Sequence, residues 1–255
     1  MNMKRHAYAI LISLVFFCLT TLQASASADV VLSLAHSDIG VGTFYNGTTL
    51  HASGTVPAGA DVVVAVSGEP EELHMKRKGK AAGLFWMNTG NLTLSNVPQI
   101  YMVYTSEMDA SILESEDMPF SLPALRNRVE ITTEDKQDED MLFGEFIKLQ
   151  KEQSVYAVNP GTISLKENGH YNVELTLPPR IKQGDYTVTT YAVEDGRVIA
   201  TATANLNVVL TGFPAWLSKM AFQNALVYGI LSVLIALAAG LLMGVLFKDA
   251  GDGAH

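Results

Sequence analysis

The sequence predicts a mainly β protein: two immunoglobulin-like β-sandwich regions, a helical insert between them and one C-terminal transmembrane helix. Three observations carry this. Residues Leu226 to Phe247 form a 22-residue stretch without a charge, and as a helix of ~33 Å it matches the thickness of a bilayer core. Tyr171 to Leu177 alternates without error, placing Tyr171, Val173, Leu175 and Leu177 on one face of a strand. Short apolar runs separated by turn signals recur through the first hundred residues, the rhythm of a sandwich.

Taken in order, residues 1–28 read as a signal peptide. Lys4 and Arg5 form the basic start, Ile10 to Leu19 the apolar middle, and Ala24-Ser-Ala-Ser-Ala28 the small-residue end. Cleavage is expected after Ala28, with Ala26 as the other fitting position. Cys18, the single cysteine, lies in the apolar middle, so the mature chain has no disulfide of its own. Without residues 1–28 the chain keeps 15 basic against 26 acidic residues, a net charge of −11. That surface suits neither DNA nor RNA, where phosphate neutralisation dominates affinity.

Residues 29–107 read as an N-terminal sandwich of about seven strands. Asp29–Leu34, Gly40–Tyr45 and Thr48–Val56 come first, the last two separated by the turn dipeptide Asn46-Gly47. Asp61–Ser67 is a continuous apolar run, as in a strand buried on both faces. Leu73–Lys78, Gly83–Asn88 and Ile100–Thr105 complete the set. Residues 108–153 are an acidic, helical connector. Leu142, Phe146 and Leu149 fall at helical spacing, flanked by Phe143 and Ile147, with Glu145, Lys148, Lys151 and Glu152 mostly on the other side. That helix either covers one end of a sandwich or offers an acidic docking face. Residues 154–212 read as a membrane-proximal β domain, with a strand from Gly184 to Val193, a hairpin turn at Asp195-Gly196, and an inward row of Val198, Ala200, Ala202, Ala204, Leu206 and Val208. Residues 213–247 hold an interfacial segment, with Phe213 and Trp216 at aromatic-belt positions, and a membrane helix beginning near Pro214. Residues 248–255 form a short cytoplasmic tail. The whole reads as a single-pass protein of the bacterial inner membrane with its body in the periplasm.

Two surfaces stand out. Within the span, Ser232, Ala236, Gly240 and Gly244 recur every four residues. Small residues at that spacing let a second helix approach closely, either an integral membrane partner or another copy of this chain. Against the acidic background, Lys76, Arg77 and Lys78 lie near Trp86 and Asn88. Such a cluster can hold an anion, a lipid headgroup or an acidic loop; it equally fits an edge strand whose lysines block aggregation, with Trp86 in the core. No catalytic motif is present. His36, His51, His74 and His170 are scattered, without metal-ligand spacing. The expectation is therefore a non-enzyme without cofactor, metal site or catalytic residues.

The order of Asp61-Val-Val-Val-x-Val-x-Gly68, Lys76-Arg-Lys78, Gly83-Leu-Phe-Trp86-x-Asn88 and Val97-Pro-x-x-Tyr101, followed by Leu177-Pro, Gly184-x-Tyr186, Asp195-Gly196 and Tyr228-Gly229, resembles a family of bacterial single-pass membrane proteins first described from alphaproteobacteria (Alph_Pro_TM type). Phe85 stands where that pattern has an aliphatic residue. The resemblance carries over no catalytic residues. Its members are often encoded near sulfite-exporter-type permeases, which implies an accessory or scaffold role beside a transporter. The other function left open by the residues is an anion- or ligand-sensing module built on the basic-aromatic cluster at 76–88.

Overall fold

The computed structural model describes residues 29–81, 85–133 and 139–247. The expected signal peptide at 1–28 and the tail at 248–255 lie outside the described residues. The chain is mainly β with one long C-terminal apolar helix, as predicted. The strands of 29–107 are β1 (Val31–Leu34), β2 (Asp38–Val41), β3 (Thr48–Thr55), β4 (Asp61–Gly68), β5 (Pro70–Ala81), β6 (Phe85–Pro98) and β7 (Tyr101–Thr105). After the connector and its short strand β8 (Glu130–Thr133) come β9 (Tyr156–Asn159), β10 (Ser164–Leu165), β11 (His170–Leu177), β12 (Gly184–Glu194) and β13 (Arg197–Leu210).

The two β regions do not fold apart. They interleave in one sandwich, with a first sheet ordered β1-β3-β11-β10 and a second ordered β2-β13-β12-β4-β7-β9. In the first, β3 pairs with β11 along its whole length, from Thr48 opposite Leu177 to Thr55 opposite His170. In the second, β4 is flanked by β12 and β7. The reason lies in β4 itself. Val62, Val63, Val64, Ala65 and Val66 are all buried, and so apolar a strand needs cover on both faces and neighbours on both edges. The early region alone does not provide that. Side chains stitch the sheets together. Tyr171 shares a 2.8 Å hydrogen bond with Thr190. The Tyr104 hydroxyl donates to the Thr176 carbonyl at 3.2 Å and accepts from its N–H at 2.9 Å.

Alternation holds where it was strict. Tyr171, Val173, Leu175 and Leu177 are buried while their neighbours are exposed. Asp195 and Gly196 both have positive φ, 49° and 69°, the backbone of a tight hairpin turn. The other turn dipeptide behaves differently. Gly47 has φ +87°, but it joins strands of different sheets, because β2 pairs in parallel with β13 while β3 lies beside β1.

The connector covers the second sheet. Two short helices, α1 (Ala110–Leu113) and α2 (Leu122–Arg126), are capped by Asp109 and Ser121, whose side chains each accept a backbone N–H at 3.0 Å. Phe120, just before α2, is buried with its ring 5.3 Å from Tyr191. Helix α3 (Glu139–Glu152) opens on Glu139 and Asp140, both bonded at 2.9 Å to Arg126. It buries Leu142, Phe143, Phe146, Ile147 and Gln150. Leu149, expected in the inward stripe, stands at the border of exposure instead, because the buried face is centred on the 143/146/147/150 row. β5 and β6 are longer than predicted and form a hairpin that, with β8, makes a third sheet.

The C-terminal segment is two helices rather than one beginning near Pro214. α4 (Gly212–Gln223) precedes α5 (Ala225–Leu246), and Asn224 between them leaves helical geometry at φ −131°, ψ 50°. Pro214 sits in the first turn of α4, where its missing N–H leaves no helical bond unmade. Phe213 and Trp216 stack at 5.6 Å on α4, and Ala225–Val245 is apolar and long enough to cross a membrane.

Buried tyrosines give the sandwich an alkaline limit. Burial pushes the Tyr101 and Tyr186 phenols from 10.0 up to about 12 and raises Tyr156 as well. A group whose folded pKa exceeds its unfolded value stabilises fully below the unfolded value and loses that contribution as pH climbs through the folded one. Stability of the full chain in mild detergent is therefore expected to be flat up to pH 9 and to fall between about pH 10 and 12. Denaturant midpoints at each pH, with tyrosinate absorbance, check this. Tyrosinate forming gradually near pH 10 with no loss of stability would contradict it.

Candidate functional site

The hairpin β5–β6 positions the basic cluster. Across it, Lys76 pairs with Asn91, Arg77 with Gly90, Lys78 with Asn88 and Lys80 with Trp86. Thr89 is passed over in that register, a bulge in β6 next to Arg77 and Lys78, and bulges sharpen local twist. Lys76, Lys78 and Asn88 are exposed. Arg77 and Trp86 are placed by the backbone, Arg77 one residue from each of the two lysines.

The structure brings Lys76 and Lys78 to a partner that sequence reasoning did not name, the outer side of α3. A groove of about 810 Å³ runs between hairpin and helix, with Met75, Leu92, Met141 and Leu149 as apolar lining and Lys76, Lys78, Glu145, Lys148 and Glu152 as its charges. The signal in the sequence was the Glu145/Lys148/Glu152 face of the helix; what it lacked was the strand lying opposite. Three cations against two carboxylates nearly balance, and the lysines are solvated. Among the described residues no enclosed set of converging donors forms there. A small anion would have to compete with Glu145 and Glu152 for the same ammonium groups, and in water such contacts are worth little.

The histidines are dispersed. His51 faces Glu174 at 3.9 Å and His74 faces Glu72 at 3.5 Å, with all four side chains largely exposed. His74 Nδ1 also lies 3.1 Å from Thr93 Oγ1. Among the described residues no group of three His, Cys, Asp or Glu side chains is placed to hold a metal ion.

The span presents Ser232, Ala236, Gly240 and Gly244 on α5, all exposed. The Ser232 hydroxyl donates to the Tyr228 carbonyl at 2.8 Å, so it carries no unmet polar demand into an apolar medium. A Cβ added at Gly240 or Gly244 would meet nothing within 4 Å.

A sequence model of the family described as putative transmembrane protein (Alph_Pro_TM) matches residues 29–249. The chain belongs to this family. The match takes in the sandwich, the hairpin, the connector and both C-terminal helices, so the Alph_Pro_TM unit is the whole body together with its membrane segment. No curated protein matches the chain. Among solved structures, AggA, the major subunit of aggregative adherence fimbriae type I from Escherichia coli, matches at 10% identity over 72% of this chain and 97% of that one, with a TM-score of 0.23; so low a score carries no argument about this Alph_Pro_TM protein.

Proposed function

We propose that this Alph_Pro_TM protein is a non-enzymatic accessory or scaffold protein of the bacterial inner membrane, with its sandwich in the periplasm, its C-terminus in the cytoplasm and an integral membrane protein as its partner. The observation that supports it most is α5, a 22-residue helix with every described side chain exposed and a stripe of small residues open along one side. A helix of this kind gains little from burial in lipid-like surroundings and associates by close backbone approach. The body, which has no cysteine after residue 28, needs no cofactor for this role. The family resemblance makes a sulfite-exporter-type permease the partner class to test first; self-association through the same stripe is the other arrangement.

The anion-sensing alternative draws less support, since the basic residues line an open, nearly charge-balanced groove. Replacing Gly240 by leucine in the full chain is expected to weaken co-purification with the membrane partner by about five- to tenfold, in line with ~1–1.5 kcal/mol for a helix–helix contact in a membrane. Affinity purification after gentle solubilisation measures it. A complex recovered undiminished from the Gly240→Leu protein refutes the role of the stripe, and recovery of bare monomers from the unaltered chain refutes the scaffold reading itself.

A further inference from the structure

We propose that the β2–β3 loop, residues 42–47, is a second membrane contact, which seats Phe44 in the headgroup boundary of the bilayer beside helix α4, itself lying along the same surface. The proposal rests on α5 spanning that bilayer and stands whether or not α5 has a protein partner.

The first support is direction. β2 and β13 are neighbours and run parallel, with Asp38 beside Asn207 and Val41 beside Leu210. Both strands therefore finish at the same end of the second sheet. One continues into the loop, the other into α4 and the span. The two departures are also tied together. The Thr211 N–H donates to the Val41 carbonyl at 2.9 Å, and a Cβ added at Gly40 would sit 2.7 Å from Thr211 Cγ2. Only Thr211 separates β13 from α4, so α4 starts where the loop starts.

The second support is what the loop presents. The Tyr45 N–H donates to the Gly42 carbonyl at 3.2 Å, which makes Thr43 and Phe44 the middle of a tight turn. Tyr45 packs on the core. Gly47 lies so close to β11 that a Cβ there would be 2.9 Å from the Leu177 carbonyl oxygen. The loop is thus held at its base, while Phe44 is turned out and 97% exposed. A ring so placed adds nothing to the core.

The third support is α4. Phe213, Trp216, Leu217 and Met220 fall at i, i+3, i+4 and i+7, one face of a helix. The first three are exposed, and the Phe213 and Trp216 rings stack. Neither 42–47 nor 212–218 contains a charged residue. Upright, the 12 residues of α4 would hold the loop ~18 Å off the bilayer. The break at Asn224, φ −131° and ψ 50°, supplies the turn that lays the aromatic face of α4 on the headgroup boundary instead. Phe44 then reaches the same level. Uncharged aromatic segments suit that boundary, and because loop and span leave the sandwich side by side, lipid is the surface that both meet.

The test uses the full chain in nanodiscs of phosphatidylcholine, with Cys18→Ser and an environment-sensitive fluorophore on one introduced cysteine. Thr43→Cys labels the loop, Glu167→Cys the far end of the sandwich and Leu234→Cys the middle of α5. Glu167 precedes β11, an eight-residue strand that ends beside the loop at Leu177, ~26 Å away at strand rise. Brominated lipid is expected to quench the loop label at least about threefold more than the far label, with a shift of its emission to the blue. The difference persists in high salt and does not need phosphatidylglycerol, since both segments are uncharged. Phe44→Ser removes it and, the ring being outside the core, leaves the circular dichroism spectrum unchanged. A loop label that stays in water beside a quenched α5 label overturns this proposal alone. An unquenched α5 label overturns the spanning reading and the proposal with it. A loop label shielded only in anionic lipid, or only when membrane proteins are co-reconstituted, overturns it in favour of a charge contact or a protein contact.

Discussion

Tyr156→Ala is expected to destabilise the folded body by about 3–5 kcal/mol, the range for removing a buried aromatic ring. Tyr156 is only 2% exposed and sits where three elements meet. Its ring takes the edge of Phe146 from α3 at 5.7 Å and lies 6.0 Å from Tyr101 of β7. Its hydroxyl donates to the Pro98 carbonyl at 2.7 Å, at the foot of the hairpin. Alanine leaves a cavity against all three and an unpaired buried carbonyl. Tyr156→Phe separates the effects: it keeps the ring and loses only the hydrogen bond, for about 1–2 kcal/mol. Denaturant unfolding of the full chain in mild detergent, followed by near-ultraviolet circular dichroism, gives both values. An alanine variant no less stable than the phenylalanine one would show that the ring is not the joint between helix, sheet and hairpin.

That joint is also where sequence reading stopped short. The strands with strict alternation, above all β11, were legible because a period of two with large apolar side chains has one reading. Asp195-Gly196 was legible because two positive φ angles in succession restrict the residues that fit. The apolar run at 61–67 correctly announced a strand buried on both faces. It could not announce its neighbours, since nothing in Val62–Val66 distinguishes β12, more than a hundred residues away, from a nearer strand. Register follows the hydrophobic faces of both partners at once, and the local pattern contains only one. Asn46-Gly47 shows the same limit from the other side: the dipeptide fixed a turn, but the pairing of its flanks was decided by β13 and β11.

The candidate site was half legible for a similar reason. Lys76 and Lys78 were visible as cations in an acidic chain, and alternation set them on one face. Glu145, Lys148 and Glu152 were visible as the polar side of an amphipathic helix. That these two surfaces face each other across one groove depends on β8, a four-residue strand whose Glu130-Ile-Thr-Thr133 sequence gives almost no signal, docking α3 beside the hairpin. The length of the hairpin was hidden too. Thr89 to Asn96 is mostly polar, and the passed-over Thr89 interrupts the alternation that would have revealed it.

Anchorage rests on a narrower base than the fold, and two substitutions should abolish it. Leu234→Arg together with Leu237→Arg places two guanidinium groups near the middle of α5. On an insertion scale each costs about 2.5–3.5 kcal/mol at a helix centre, so ~5–7 kcal/mol for the pair. Among the described residues no second helix can replace the lost span, since α4, with 12 residues, reaches only ~18 Å against the ~30 Å needed. The doubly substituted protein is expected to leave the membrane pellet in an alkaline carbonate wash, while Leu234→Ile with Leu237→Val stays. A protein that remained carbonate-resistant with both arginines would mean that something other than α5 holds it.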